Sequence, residues 1–155
     1  MSQQLPSATE IALDADDADD AGDAGGPASA TATAGERFAR ALAAKDAAVL
    51  RAVLADPIDF RALTPGRQWE ASTPGEVVDD IVLGAWFEPS DHIGDLESVG
   101  TCQLPGREHV SYRLRVQSDG VDYVVEQQAY YDTAGEQITW MRVLCSGYRP
   151  LGGMA

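Results

Sequence analysis

The sequence predicts an α+β domain, helices first and an antiparallel meander last, on three observations. The final third, Glu108 to Pro150, reads as three strands, His109–Val116, Tyr123–Asp132 and Gln137–Ser146. The turns between them are Ser118-Asp119-Gly120 and Thr133-Ala134-Gly135. Asp-Gly between alternating runs is a strong hairpin signal, because both central residues of a type I′ turn need φ > 0. Ahead of the meander, capped segments carry apolar residues at helical spacing.

Composition divides the 155 residues in two. Residues 1–35 hold no Lys, no Arg and no aromatic residue, only the acids Glu10, Asp14, Asp16, Asp17, Asp19, Asp20 and Asp23 amid small residues. Such a stretch cannot bury enough apolar surface to offset its ordering entropy. Residues 1–33 are therefore expected to be a disordered acidic tail, either a solubilising leader or a contact for a basic partner. The tail lacks the basic and apolar regions of a secretory signal, and no later run suits a membrane span. The expected location is the cytoplasm. Residues 34–151 are one domain's worth of chain. The net charge of −14 divides equally between tail and domain, which disfavours nucleic acid and anionic membrane as partners.

Each element has a local reason. Thr33-Ala34-Gly35-Glu36 fits a capping box, with Glu36 reaching back, and Phe38, Ala41 and Leu42 form an i, i+3, i+4 stripe after it. Asp46 can cap a second short helix through Val49, Leu50, Val53 and Leu54, with Asp56-Pro57 ending it. Ile58–Leu63 alternates like a strand, Thr64-Pro65-Gly66 turns it, and Trp69-Glu70 forms a return strand. Thr73-Pro74-Gly75-Glu76 is a second capping box, and Val77, Val78, Ile81 and Ala85 are expected to face inward behind it. Ile93–Leu104 reads as a bulged strand, with Leu104-Pro105-Gly106-Arg107 turning into the meander.

Strand parity sorts the meander into two faces, since a one-residue slip inverts every side chain. A two-residue Asp119-Gly120 turn sets Arg113 opposite Glu126. A three-residue loop through Gly135 sets Glu126 opposite Arg142. The outer face then carries Arg113, Glu126 and Arg142 abreast, with Gln128, Trp140, Val124, Ile138 and Leu144. The inner face carries Val110, Tyr112, Leu114, Tyr123, Val125, Gln127, Met141, Val143 and Cys145.

The segments Phe38-Ala39-Arg40-Ala41-Leu42, Ala55-Asp56-Pro57-Ile58-Asp59-Phe60 and Pro74-Gly75-Glu76-Val77-Val78, with the closing strands, follow the order helix, helix, strand, capped helix, meander. This order resembles the nuclear transport factor two-like superfamily, in its ketosteroid isomerase-like and SnoaL-like branch, over roughly residues 34–150. The resemblance implies a cone-shaped α+β fold of cystatin-like or SnoaL-like type. In it a strongly curved antiparallel sheet wraps around N-terminal helices, with a pocket on its concave side. It also implies a homodimer. Members include enzymes, ligand binders and partner-holding modules, so the fold alone fixes no function.

The isomerase branch implies a carboxylate base, for which Asp56, Asp59 and Glu126 are candidates, with Tyr112 or Tyr123 as donor. The cyclase branch implies an acid–base Asp helped by a pocket His, which singles out His92 beside Asp91. His109 begins a strand and reads as a strand-edge residue. Phe60, Trp69, Trp86, Tyr112, Tyr123, Gln127 and Met141 are the candidate lining of an apolar pocket. Arg113, Glu126, Trp140 and Arg142 are a candidate dimer interface, since aromatic residues and Arg are enriched at interface cores. His92, Cys102, His109 and Cys145 are too scattered for a metal site, and no cofactor motif is present. Cys102 and Cys145 are expected to be free, buried thiols. The function these features suggest is binding of a small hydrophobic or aromatic molecule, or cofactor-free isomerase- or cyclase-type chemistry on it. The alternative is a non-catalytic dimerisation or interaction module.

Overall fold

The computed structural model describes residues 32–152. The expected acidic tail lies outside the described residues, its last two positions excepted.

Among the described residues, two helices precede the sheet and a third follows its second strand. Helix α1 spans Ala34–Ala43, and the Thr33 hydroxyl caps it by accepting from the Glu36 N–H at 3.1 Å. Glu36 does not reach back as a capping box requires; its carboxylate instead pairs with Arg40 one turn on, at 2.8 Å. Phe38, Ala39, Ala41 and Leu42 are buried. Helix α2 spans Ala47–Val53, with the Asp46 carboxylate accepting from the Val49 N–H.

The third helix, α3, spans Glu76–Trp86 and carries the wider i→i+5 hydrogen-bond pattern. Thr73 Oγ1 accepts from the Glu76 N–H, and the Glu76 carboxylate accepts from the Ser72 N–H, so the predicted box closes one residue earlier than expected. The wider turn changes the inward row. Val77, Val78, Ile81, Val82 and Trp86 are buried, while Ala85, expected inside, is exposed. Gly84 suits this pattern, because a Cβ there would collide with the Asp79 carbonyl oxygen.

The described residues form seven strands, two before α3 and five after it: β1 Leu54–Thr64, β2 Arg67–Ala71, β3 His92–Leu104, β4 Arg107–Ser118, β5 Val121–Ala134, β6 Gln137–Cys145 and β7 Arg149–Pro150. Their order is β2-β1-β6-β5-β4-β3, with β7 on β5. The pairs are antiparallel except β1 with β6, so the sheet is mixed rather than purely antiparallel. Register shifts in β1, β3 and β6 bend it, since an extra residue on one strand increases local twist. The architecture is α+β, with α1 packed against β3 and β4 inside an open, curved sheet.

The second helix stops three residues before Asp56 rather than at it, and β1 starts at Leu54. The parallel partner β6 recruits Leu54, opposite Ile138, into the sheet ahead of Pro57. The Asp119-Gly120 turn has φ of 50° and 78°, and Arg113 faces Glu126 as parity requires. The next hairpin differs. Its turn is Gly135-Glu136, and a bulge at Thr139 adds a residue, so Arg142 faces Tyr130 and not Glu126. Parity is kept, but the row of Arg113, Glu126 and Arg142 is broken. The bulge also turns Ile138, expected outside, fully into the core.

Candidate functional site

The concave side of the sheet and the inner face of α3 meet in one buried cluster. Strand alternation sends Tyr112 from β4 and Gln127 from β5 into it directly opposite one another. The Tyr112 hydroxyl donates to Gln127 Oε1 at 2.6 Å. Gln127 is the one buried polar side chain among the described residues, at 2% exposure. Burial pushes the Tyr112 phenol up, so it remains a donor at neutral pH.

Fixing Oε1 in this way orients the Gln127 amide nitrogen, and no acceptor reaches it among the described residues. The indole N–H of Trp86, a residue 8% exposed, is also without an acceptor among the described residues. Trp86 comes inward because α3 is wound i→i+5. It packs on Phe60 at 6.3 Å and edge-on against Trp69 at 6.2 Å between centroids. The interior thus holds two buried donors without acceptors, in apolar surroundings. Each such group costs about 1–3 kcal/mol unless something accepts from it.

A polar knot backs this cluster. The Tyr148 hydroxyl lies 2.8 Å from the Trp86 carbonyl and 2.9 Å from the Asp91 carboxylate, and shares its proton between them. Asp91 also accepts from the Ser118 hydroxyl at 2.6 Å and from the Glu88 N–H at 3.2 Å. Lys45, at the α1–α2 turn, donates to the Glu88 and Asp91 carbonyls. Burial works to raise the Asp91 carboxyl, but the bonds from Ser118, Tyr148 and Glu88 and the Lys45 charge hold it below its ordinary value. Burial lowers Lys45, against the attraction of Asp91. Burial, and then Asp91, push the Tyr148 phenol up. The Tyr148 ring stacks on Phe87 and meets Tyr123 edge-on.

Of the candidate pocket lining, Phe60, Trp86, Tyr112, Gln127 and Met141 are brought together as core, while Trp69 and Tyr123 are half-buried at its margin. Asp59, Glu126 and His92, proposed for catalysis, are all exposed and apart from this cluster. Asp59 alternates outward between Ile58 and Phe60 and pairs with Arg142 at 3.0 Å. Glu126 pairs with Arg113 at 2.9 Å on the outer face. His92 opens β3 opposite Gln117, and its neighbour Asp91 points the other way into the knot. Tyr148, Lys45 and Ser118 carry no local signal of their role. Cys145 is half-buried on the inner face opposite Gln127, and Cys102 is exposed on β3, against the expectation of a buried thiol.

The outer face carries a different chemistry. Two guanidinium groups lie against the Trp140 ring, Arg107 at 3.7 Å and Arg142 at 4.4 Å from its centroid. Arg107 is bonded to Asp132 at 2.9 Å. Tyr130, Leu63 and Leu144 are about half exposed on the same face. A groove of about 480 Å³ there is bordered by Ser98, Ser111, Arg113, Glu126, Gln128 and Leu144. Exposed pairs such as these contribute ~0–1 kcal/mol each.

No protein-family profile and no curated protein matches the sequence. Solved structures do match the fold. One is a protein assigned as a polyketide cyclase from Pseudomonas putida KT2440, at 14% identity and TM-score 0.55, covering 72% of this chain and 90% of that one. A protein assigned as an isomerase from Rhodopseudomonas palustris matches at 18% identity and TM-score 0.54, over 76% and 92%. An epoxide hydrolase of M. tuberculosis, LEH-like, matches at 13% and 0.52, over 73% and 80%. A nuclear transport factor two-like protein from Burkholderia thailandensis matches at 13% and 0.53, over 71% and 85%. The chain has the nuclear transport factor two-like fold, the fold its element order predicts.

Proposed function

We propose, from the nuclear transport factor two-like fold and the two acceptor-free donors inside it, that the protein binds a small, mostly apolar, uncharged molecule carrying a hydrogen-bond-accepting oxygen. The observation that carries this reading is the pair of buried N–H donors, Gln127 Nε2 and Trp86 Nε1. A carbonyl oxygen would satisfy such donors. A carboxylate or phosphate would not suit a core whose one buried polar residue, among the described residues, is neutral. Proteins of this fold assigned as a cyclase and an isomerase support a cofactor-free reaction on that oxygen. The exposed positions of Asp59, Glu126 and His92 favour binding over acid–base catalysis by those three. The free state of Cys102 and Cys145 fits the reducing cytoplasm.

Native mass spectrometry of freshly purified protein, compared with its denatured mass, tests the reading. A small additional mass released on denaturation is expected. Trp86→Phe keeps the ring's bulk and removes one donor. It is expected to weaken retention of that molecule about ten-fold while leaving stability within ~1 kcal/mol. A protein that emerges bare, or a variant that retains the molecule equally well, contradicts the proposal.

A second reading, a homodimerising module, is favoured by the outer face, where Trp140, Arg142 and Arg113 stand beside exposed Leu63, Leu144 and Tyr130. Trp and Arg in such settings are frequent interface anchors. Under it, Trp140→Ala removes the share of self-association that this face carries, and Glu126→Ala weakens it more mildly. An unchanged mass in the Trp140 variant argues against this face.

A further inference from the structure

The sheet has two edges, β2 and β3, and they are protected differently. Strand β2 is five residues long and carries Arg67 and Glu70. Strand β3 has thirteen residues. Its first half is interrupted by register shifts at Ile93/Asp95 and Leu96/Ser98 and carries Asp95 and Glu97. Bulges and charges of this kind keep an edge from pairing with another chain.

From Ser98 to Leu104 neither device is present. The segment Ser-Val-Gly-Thr-Cys-Gln-Leu has no charge and no proline, and its seven residues pair with β4 in unbroken register. Val99 is half-buried and the other six are exposed. The two-residue Pro105-Gly106 turn sets the hydrogen-bond phase. Its closing pair, Leu104 and Arg107, is bonded across the hairpin, so Cys102 and Gly100 also point their backbone groups toward β4. Val99, Thr101 and Gln103 therefore turn their N–H and C=O groups away from the sheet. Among the described residues, no backbone hydrogen bond outside the sheet reaches them.

We infer that this edge is a docking strand for the same edge of a second copy, extending the sheet antiparallel across a two-fold axis at Thr101. The phase is self-complementary about that residue. Thr101 meets Thr101, and Val99 meets Gln103, so every outward group meets an outward group, giving about six new backbone hydrogen bonds. The charge pattern points to the same occupant. A chain of net charge −14 repels its own copies, and this is an uncharged run at which they can approach without opposing carboxylates. The contact is separate from the interior site and from the outer face around Trp140, and it stands without either.

Analytical ultracentrifugation of the full chain across a concentration series tests it, together with backbone amide exchange at low and high concentration. Thr101→Lys and Thr101→Pro are the variants; both alter an exposed edge position, and circular dichroism checks that the fold is kept. The expected result is self-association of the wild type that weakens at least about ten-fold in both variants and persists in Trp140→Ala. The lysine variant lowers the net negative charge, so its weaker association could not come from overall repulsion. In the wild type, exchange at Val99, Thr101 and Gln103 slows as concentration rises, while Gly100 and Cys102 stay unchanged. A wild type that remains monomeric overturns the inference. So does association that Thr101→Lys leaves intact, or exchange at those three amides that is independent of concentration.

Discussion

Gly35→Ala is expected to lower stability by about 2–3 kcal/mol, a fall in Tm on the order of 10 °C. A Cβ at Gly35 would stand 2.7 Å from both the ring edge and the hydroxyl of Tyr131. Tyr131 cannot easily yield, because it is fully buried and bonded at both ends of its hydroxyl. The Gly35 N–H donates to it at 2.9 Å, and it donates to Glu108 at 2.9 Å. The substitution therefore overpacks the contact between α1 and β5 and pulls apart the bond that satisfies one of the free N–H groups at the start of α1. Thermal unfolding followed by circular dichroism measures it. An alanine variant that melts with the wild type would mean that the first turn of α1 stands off from Tyr131.

Asp91→Asn is expected to cost on the order of 3 kcal/mol near neutral pH, with a dependence on pH that identifies the cause. The carboxylate accepts from Ser118, Tyr148 and the Glu88 N–H and lies near Lys45, and an amide cannot replace an ionised acceptor in all of these bonds. The folded-state pKa lies below the ordinary value of 3.8. The charged form therefore contributes its full stability well above that value. The contribution is lost as pH falls through 3.8 toward the folded-state value. The gap in stability between wild type and variant should be widest near neutrality and close toward pH 3. Denaturant melts at a series of pH values give both curves. A gap that stays constant with pH would assign the loss to shape rather than charge. The same variant should change the indole fluorescence, since Tyr148 connects Asp91 to the Trp86 backbone.

Much of the fold is legible in the chain because it is written locally. Asp119-Gly120 specifies a tight hairpin, and that turn fixes Arg113 against Glu126. Alternation then assigns Tyr112, Val125, Gln127 and Met141 to the inner face without reference to any distant residue. Thr33 and Asp46 mark their helix starts through hydroxyl and carboxylate groups three residues from the N–H groups they cap. The outward placement of Asp59 is equally local, since Ile58 and Phe60 take the inner positions on either side.

The candidate site was legible only in part. Gln127 and Tyr112 could be named as inner-face residues, but not the 2.6 Å bond that consumes one amide atom and leaves the other free. Glu126, also named, is on the opposite face by the same alternation, and an acid there cannot reach the interior. The i→i+5 winding of α3 rotates Trp86 inward in place of Ala85, and no residue in Glu76–Trp86 announces that pattern.

The sequence by itself determined the element order, the hairpin turns, the two faces of the meander and hence the fold class. Each follows from interactions within a few residues, or from a period of two. Tertiary structure alone decided the four-residue displacement between β5 and β6, the turning of Ile138 into the core and the knot of Lys45, Asp91, Ser118 and Tyr148. It also decided the fit of Gly35 against Tyr131. These contacts join residues as far as 96 apart, and which of them meet depends on where bulges bend the sheet and how closely the helices pack against it.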